Sequence, residues 1–272
     1  MTFHPDFFDQ TVYLTNLAIK AAICAGSKIN EVYSSSVFNV RIKDDHTPVT
    51  IADYLAHAEI VDKLQSTGIP VLSEEGVHLH YNERKNWKLF WLVDPLDGTK
   101  EFIKRNDEFT VNIALIHENK PISGVIYAPV SGELFAGIPE FGAYKIINPN
   151  DACTFGEMQQ AGIKLPLKVP SEKMVIAISR SHMNQETANY IDQLAMGSAE
   201  IEIQQKGSSL KICMVAEGTA VVYPKFGKTM EWDTAAGHAI IKAVGKNIIC
   251  PETNTELTYN KQDLRNPNFI AG

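Results

Sequence analysis

Asp94-Pro95-Leu96-Asp97-Gly98-Thr99 places two aspartates three residues apart, directly after the apolar run Leu89–Val93. A strand ending there, bent by proline and glycine, can aim both carboxylates and the Leu96 carbonyl at one point. Hard oxygen donors of this kind suit Mg²⁺ better than softer metals. Three further segments carry acids at predicted element ends: Asp53, Glu74-Glu75 and Asp233. Taken singly, each has a plainer role, since Asp53 and Asp233 can cap helices and Glu74-Glu75 can be solvated loop charge. Gathered together they would be costly. Two unit charges about 4 Å apart repel by roughly 4 kcal/mol at an effective dielectric of 20. A divalent cation removes that penalty and creates a positive site for a phosphate.

The composition supports local rather than general anion binding. The 272 residues carry a formal charge of -7, with 21% charged and 44% apolar residues and no long basic run. That argues against a nucleic-acid partner and allows one large core or two modest ones. Cys24, Cys153, Cys213 and Cys250 lack CxxC spacing, so reduced, buried thiols are expected rather than a disulfide framework or a zinc site. The start, MTFHPDFFDQ, lacks the pattern of a secretory signal, and no apolar run reaches membrane-spanning length, so a cytoplasmic enzyme is expected.

Helical spacing of Leu14, Leu17, Ala18, Ala21 and Ala25 predicts a first amphipathic helix. A second is expected after Pro48, with Ile51, Tyr54, Leu55, Ala58 and Val61 on its apolar side and Thr50 with Asp53 capping its first turn. Thr110–His117 and Ile122–Ala128 read as an antiparallel hairpin continued by Glu133–Ala136 and Ala143–Ile147. Asn148–Pro170 reads as a loose join. Beyond it, Met174–Ser179, Ile201–Gln205 and Thr219–Tyr223 read as strands, alternating with helices over Gln185–Ala195, Leu210–Ala216 and Thr234–Val244. The expected division is an α+β lobe over 1–165, holding most of the acids, and an α/β lobe over 166–272, holding Asp233.

Four segments together resemble the inositol-monophosphatase superfamily of Mg²⁺-dependent, Li⁺-sensitive phosphatases: Pro48–Asp53, Ser73-Glu74-Glu75, Asp94–Thr99 and Trp232–Gly237. They stand in the family's order and span essentially the whole chain. The runs Asp94–Ile103, Phe109–Leu115 and Gly207–Lys211 are similar to the bisphosphate-nucleotidase branch. The resemblance implies a layered αβαβα sandwich of the inositol-monophosphatase and sugar-phosphatase type. It implies release of the 3′-phosphate from adenosine 3′,5′-bisphosphate, a by-product of sulfate assimilation, to give AMP.

Carried onto matching positions, the resemblance implies two Mg²⁺ ions, with room for a weaker third near Glu74. One would lie between Glu74, Asp94 and the Leu96 carbonyl, the other among Asp94, Asp97 and Asp233. Thr99, oriented by Asp53, would steer a proton from the attacking water, beside Glu74. Backbone N–H groups of Gly98 and Thr99 would meet phosphate oxygens. His182, Ser208, Lys211 and Lys225 match nucleotide-contact positions, although Lys211 and Lys225 could be plain surface lysines and His182 a loop histidine. His46 departs from the small polar residue that relatives often carry. The same metal motifs serve inositol monophosphate and fructose 1,6-bisphosphate, and a non-catalytic sensor would keep the fold while losing a ligand. The branch is compatible with a monomer or a homodimer and with peripheral attachment to the inner membrane, which no basic amphipathic helix here requires.

Overall fold

The computed structural model describes residues 5–35, 40–42, 48–167, 173–180, 184–196 and 200–272. His46 and His182 lie outside these. The chain opens with a long helix α1 (Pro5–Ser34), a two-stranded ribbon β1 (Val40–Ile42) and β2 (Pro48–Thr50), and helix α2 (Ile51–Leu64). Strand β3 (Val71–Ser73), the short α3 (Tyr81–Arg84), β4 (Leu89–Asp97) and α4 (Thr99–Lys104) follow. Then come β5 (Thr110–His117), β6 (Lys120–Ala128), β7 (Glu133–Ile138), β8 (Gly142–Ile147), α5 (Phe155–Ala161) and β9 (Ile163–Leu165). Strands β3 to β9 form one sheet in chain order, antiparallel except for the parallel β3–β4 pair.

The second half supplies β10 (Met174–Ser179), α6 (Gln185–Ala195), β11 (Ile201–Lys206), α7 (Leu210–Glu217), β12 (Tyr223–Lys225) and α8 (Glu231–Lys242). It ends with β13 (Ile248–Cys250), β14 (Thr255–Glu256) and β15 (Phe269–Ala271). β10 runs parallel to β11, and an Ile176–Val222 bridge links that pair towards the β12-β15-β13-β14 sheet.

Side-chain alternation along β4 produces the layering. Trp91 and Val93 face a core shared with α1 and α2, whereas Phe90 and Leu92 face one shared with α7, α8 and the second set of strands. A third cluster, with Ile176, Ile178 and Val222, lies under Ile191 of α6. The order is therefore helices, seven-stranded sheet, helices, second sheet, helix, which is the expected αβαβα sandwich. Helix α8 lies against the seven-stranded sheet through two glycines that are register partners, Gly124 and Gly137. A Cβ on Gly124 would stand 2.1 Å from the Ala236 carbonyl oxygen, and one on Gly137 would stand 2.7 Å from the Ile240 Cα. Only glycine lets the helix backbone come this close, and that depth places Asp233.

Several expectations needed correction. The buried stripe of α2 is Ala52, Asp53, Ala56, Ile60 and Leu64, and Ile51, Tyr54, Leu55 and Ala58 are exposed. The small alanines pack α2 against α1, and the inward face is the one carrying Asp53, so the bulkiest residues do not mark the core side. The stretch expected to be a loose join contains α5 and β9, the latter paired with β8. The strand expected at Thr219–Tyr223 starts only at Tyr223, because residues 219–222 bend out of the C-terminal end of α7. Strand β4 runs through Asp97 rather than stopping at Val93, and α8 starts at Glu231 rather than Thr234.

Candidate active site

In a regular strand, residues i and i+3 face opposite sides of the sheet. Asp94 pairs with Asn112 and Asp97 with Thr110, so three steps on β4 oppose two on β5. The extra residue is a bulge, and Pro95 sits in it without needing a ladder donor. The bulge turns Asp94 and Asp97 to the same side. Glu74 follows β3 in parallel register with β4, its N–H donating to the Val93 carbonyl at 3.1 Å, so it lies beside Asp94. Asp233 enters from α8, where it is the third residue of the helix and accepts from the Met230 N–H at 2.9 Å. It therefore closes a first turn from inside rather than serving as the N-cap.

Glu74, Asp94, Leu96, Asp97, Gly98, Thr99, Ser208, Lys211, Lys225 and Asp233 all line one cavity of about 270 Å³. Lys211 and Lys225 are 5% and 9% exposed, so neither is a plain surface lysine. Among the described residues no three acidic, histidine or cysteine side chains close into a ready ligand shell. The structure instead presents four carboxylates and a peptide carbonyl facing a common space.

Their electrostatics fit a cation. Burial raises the Asp94 carboxyl well above the usual carboxylate range, and Glu74, Asp97 and Asp233 push it further. Burial likewise raises Asp233, reinforced by Asp97 and Glu74. Asp97 is raised by burial and opposed by Lys211, Ser209 and Asn112. Burial lowers Lys211 to about 8 against the pull of Asp97, and its Nζ donates to the backbone carbonyls of Ser208 and Lys206. Such mutual repulsion among hard oxygen donors is relieved by a divalent metal, so the donor set fits Mg²⁺. Glu74, Asp94, the Leu96 carbonyl, Asp97 and Asp233 are the groups that would hold it.

Asp53 sits behind this floor, 2% exposed. One of its oxygens accepts from the Thr50 N–H and hydroxyl, both at 2.7 Å, and the other accepts from the Thr99 hydroxyl at 3.2 Å. The expected cap and the expected link to Thr99 are thus two edges of one carboxylate. Burial lifts Asp53 to about 6, opposed by the Thr50 donors. Gly98 holds a left-handed conformation (φ 95°) that leads directly into α4 at Thr99.

Sequence reasoning assigned no role to Ser209 and Asn112. The Ser209 hydroxyl lies 2.7 Å from Asp97 Oδ2 and 2.9 Å from the Asp233 carbonyl oxygen, so it ties the two halves of the site together. Asn112 donates to the same Asp97 oxygen at 3.3 Å and is held by the Thr110 hydroxyl at 2.9 Å. Thr110 and Asn112 stand out as polar residues within an apolar strand, a signal that was legible. Outer partners of this kind carry about 10- to 100-fold in metal affinity. Ser209→Ala is therefore expected to weaken Mg²⁺ binding, measured by calorimetry, by about that factor while the fold is kept. Unchanged affinity would remove Ser209 from the site.

Comparison with known proteins adds an independent observation. A family model described as the inositol monophosphatase family matches residues 10–271. A protein of Escherichia coli O6:H1, 3′(2′),5′-bisphosphate nucleotidase CysQ, is 45% identical over 228 residues, covering 82% of this chain and 85% of its own. The protein of that name from Salmonella typhimurium is 42% identical over 90% of this chain and 94% of its own. The crystal structure of CysQ from Bacteroides thetaiotaomicron superposes with a TM-score of 0.89 at 46% identity, over 96% of this chain and 97% of the other.

Proposed function

Because the chain belongs to the inositol monophosphatase family, we infer that it is a 3′(2′),5′-bisphosphate nucleotidase, a phosphoric monoester hydrolase. Water adds to the 3′-phosphorus of adenosine 3′,5′-bisphosphate, the bond to the 3′-oxygen breaks, and that oxygen takes up a proton to give AMP and phosphate. The observation that carries this reading is the 42–45% identity to curated nucleotidases over most of the chain. The cavity, lined by both acids and lysines, supports it.

Divalent-metal dependence goes with the family, and we propose two Mg²⁺ ions on Glu74, Asp94, Leu96, Asp97 and Asp233, with a third weaker position at Glu74. Bound there, the cations would acidify a water and neutralise charge on the reacting phosphate. The chain's own contribution is orientation. Because the Thr99 hydroxyl donates to Asp53, its lone pairs are left to accept a proton-bearing water in the cavity. Ser208, Lys211 and Lys225 line the same space and are proposed to meet the nucleotide. Asp97 and Asp233 would be shared between metal and substrate, and Gly98 would bring its backbone to the phosphate.

We further propose lobes 1–165 and 166–272, supported by the seven-stranded sheet ending at Leu165. Among the described residues none of the four cysteines is in a disulfide, and no helix is long and apolar enough to cross a membrane. The cytoplasm is the compartment proposed, with sulfur metabolism as the setting and Li⁺ as an inhibitor. A panel of adenosine 3′,5′-bisphosphate, inositol 1-phosphate and fructose 1,6-bisphosphate, with and without Mg²⁺ and Li⁺, tests the reading. The bisphosphate nucleotide is expected to be the preferred substrate, only with Mg²⁺, and Li⁺ is expected to inhibit. Preference for inositol phosphate would overturn the assignment.

A further inference from the structure

A second, larger cavity of about 1220 Å³ adjoins the first. Tyr81, Phe226 and Trp232 contribute to its lining. The smaller cavity, at about 270 Å³, falls below the usual 300–1,000 Å³ of sites that enclose a whole drug-sized ligand. A nucleotide bisphosphate with its cations exceeds such a space, so part of it must extend beyond. The wall common to both cavities consists of Glu74, Lys100, Lys225, Lys228, Thr229 and Asp233. The neck thus carries two acids, Glu74 and Asp233, and three lysines, Lys100, Lys225 and Lys228. A substrate with one phosphate over the acids therefore has lysines in reach of a second.

The cavity lysines differ in how far they are already committed. Lys211 is spent on the Ser208 and Lys206 carbonyls and lies beside Asp97. Lys225 is nearly buried, and the charges acting on it are Asp233 and Asp97, which favour its charged form, and Lys100, which opposes it. Lys100 is exposed, in the first turn of α4 next to Thr99, and among the described residues no hydrogen bond or ion pair engages its ammonium group. Among the described residues no hydrogen bond or ion pair engages Lys225 either, but Lys225 is nearly buried beside Asp233 and Asp97, whereas Lys100 is the exposed neck cation that stands beside Thr99.

We propose that Lys100 is a specificity-determining residue that binds the substrate's second, non-reacting phosphate at the neck between the two cavities. This rests on the nucleotidase reading. A lysine meets phosphate as a mobile point charge, and the contact is the same before and after the reacting bond breaks. Loss of Lys100 should therefore appear in KM and leave kcat nearly unchanged.

The experiment compares wild type, Lys100→Ala, Lys100→Glu and Lys100→Arg under saturating Mg²⁺, with adenosine 3′,5′-bisphosphate and adenosine 3′-monophosphate as substrates. Lys100→Ala is expected to raise KM for the bisphosphate about tenfold, with less than about a twofold change for the monophosphate. Lys100→Glu should raise it further and Lys100→Arg should restore it. Inhibition by the product AMP should weaken by the same factor as the bisphosphate KM, while weak binding of adenosine should not change. Equal shifts for both substrates, or none for either, with normal wild-type turnover would overturn the role of Lys100 alone. A wild-type enzyme inactive on the bisphosphate would overturn the nucleotidase reading and this assignment with it.

Discussion

Asp94→Asn is expected to lower kcat/KM by about a thousandfold or more while making the metal-free protein more stable. The two halves of this result come from one charge. A unit charge about 4 Å from a cation is worth roughly 4 kcal/mol at an effective dielectric of 20, which is about three powers of ten in rate. Asp94 faces divalent ions in the proposed site, so this is a lower bound. Without metal, the same charge is buried among Glu74, Asp97 and Asp233, and its carboxyl is raised well above the usual range by burial first and by those neighbours second.

The linkage has a definite sign. A carboxyl whose folded pKa is raised binds more protons folded than unfolded, so its stability contribution is full below the ordinary carboxylate range. It is lost as pH rises through the folded value. The metal-free wild type should therefore lose stability from about pH 4 upward, and Asp94→Asn should flatten that slope. At pH 7 its Tm should exceed that of metal-free wild type by a few degrees, at about 2–4 °C per kcal/mol for a chain of this size class. Added Mg²⁺ should then raise the wild-type Tm far more than that of the variant. Thermal melts with and without chelator, alongside steady-state rates, measure all of this. A variant with near-normal kcat would end the proposal that Asp94 serves two ions.

The parts of this site that were legible in the sequence are those fixed by local chemistry. Asp94 and Asp97 announce themselves through an apolar strand followed by Pro95 and Gly98, and the capping pair Thr50 and Asp53 occurs as expected. The reason their spacing works was less visible. Three residues would separate two side chains onto opposite faces, and it is the bulge against Asn112 and Thr110 that brings them together. That depends on a partner strand, which no local window contains. Glu74 and Asp233 needed family resemblance because parallel pairing and helix docking are long-range events.

The inward face of α2 was misread for a related reason. Hydrophobic periodicity weighs Ile51, Tyr54 and Leu55 above alanine, but the inward face follows Ala52, Asp53 and Ala56, which allow close approach to α1 and a link to Thr99. Here a polar residue of the proposed site lies on the buried stripe. Ser209 was missed for the opposite reason: its hydroxyl acts across 112 residues of sequence on Asp97, and the resemblance of the run Gly207–Lys211 to the nucleotidase branch does not by itself single out that hydroxyl.

The second large effect is expected from Asp53→Asn, through Thr99. Asp53 uses one oxygen for Thr50 and the other for the Thr99 hydroxyl. Asparagine has one carbonyl oxygen, and the capping donors of Thr50 would take it. Its amide nitrogen would then face Thr99 and donate, so the Thr99 hydroxyl would accept and turn its own proton either to the Leu96 carbonyl, 3.4 Å away, or into the cavity. Either way, a group proposed to accept from water would lose a lone pair to the new amide or become a donor itself. Loss of a positioned proton acceptor costs about 10²- to 10⁴-fold, so kcat should fall by at least about a hundredfold, with KM changed by less than about threefold.

The pH profile separates this from general damage. Burial raises Asp53 to about 6, so in the wild type the carboxylate is lost as pH falls through that value. An acid limb near or below pH 6 follows, because the required form is the ionised one. Asp53→Asn should lack this limb and remain uniformly slow. Thr99→Val should be about as slow as Asp53→Asn, and the double variant no slower than either, since the pair acts as one unit. Additive losses in the double variant would show that Asp53 and Thr99 act separately and would sink the coupling drawn from their 3.2 Å contact.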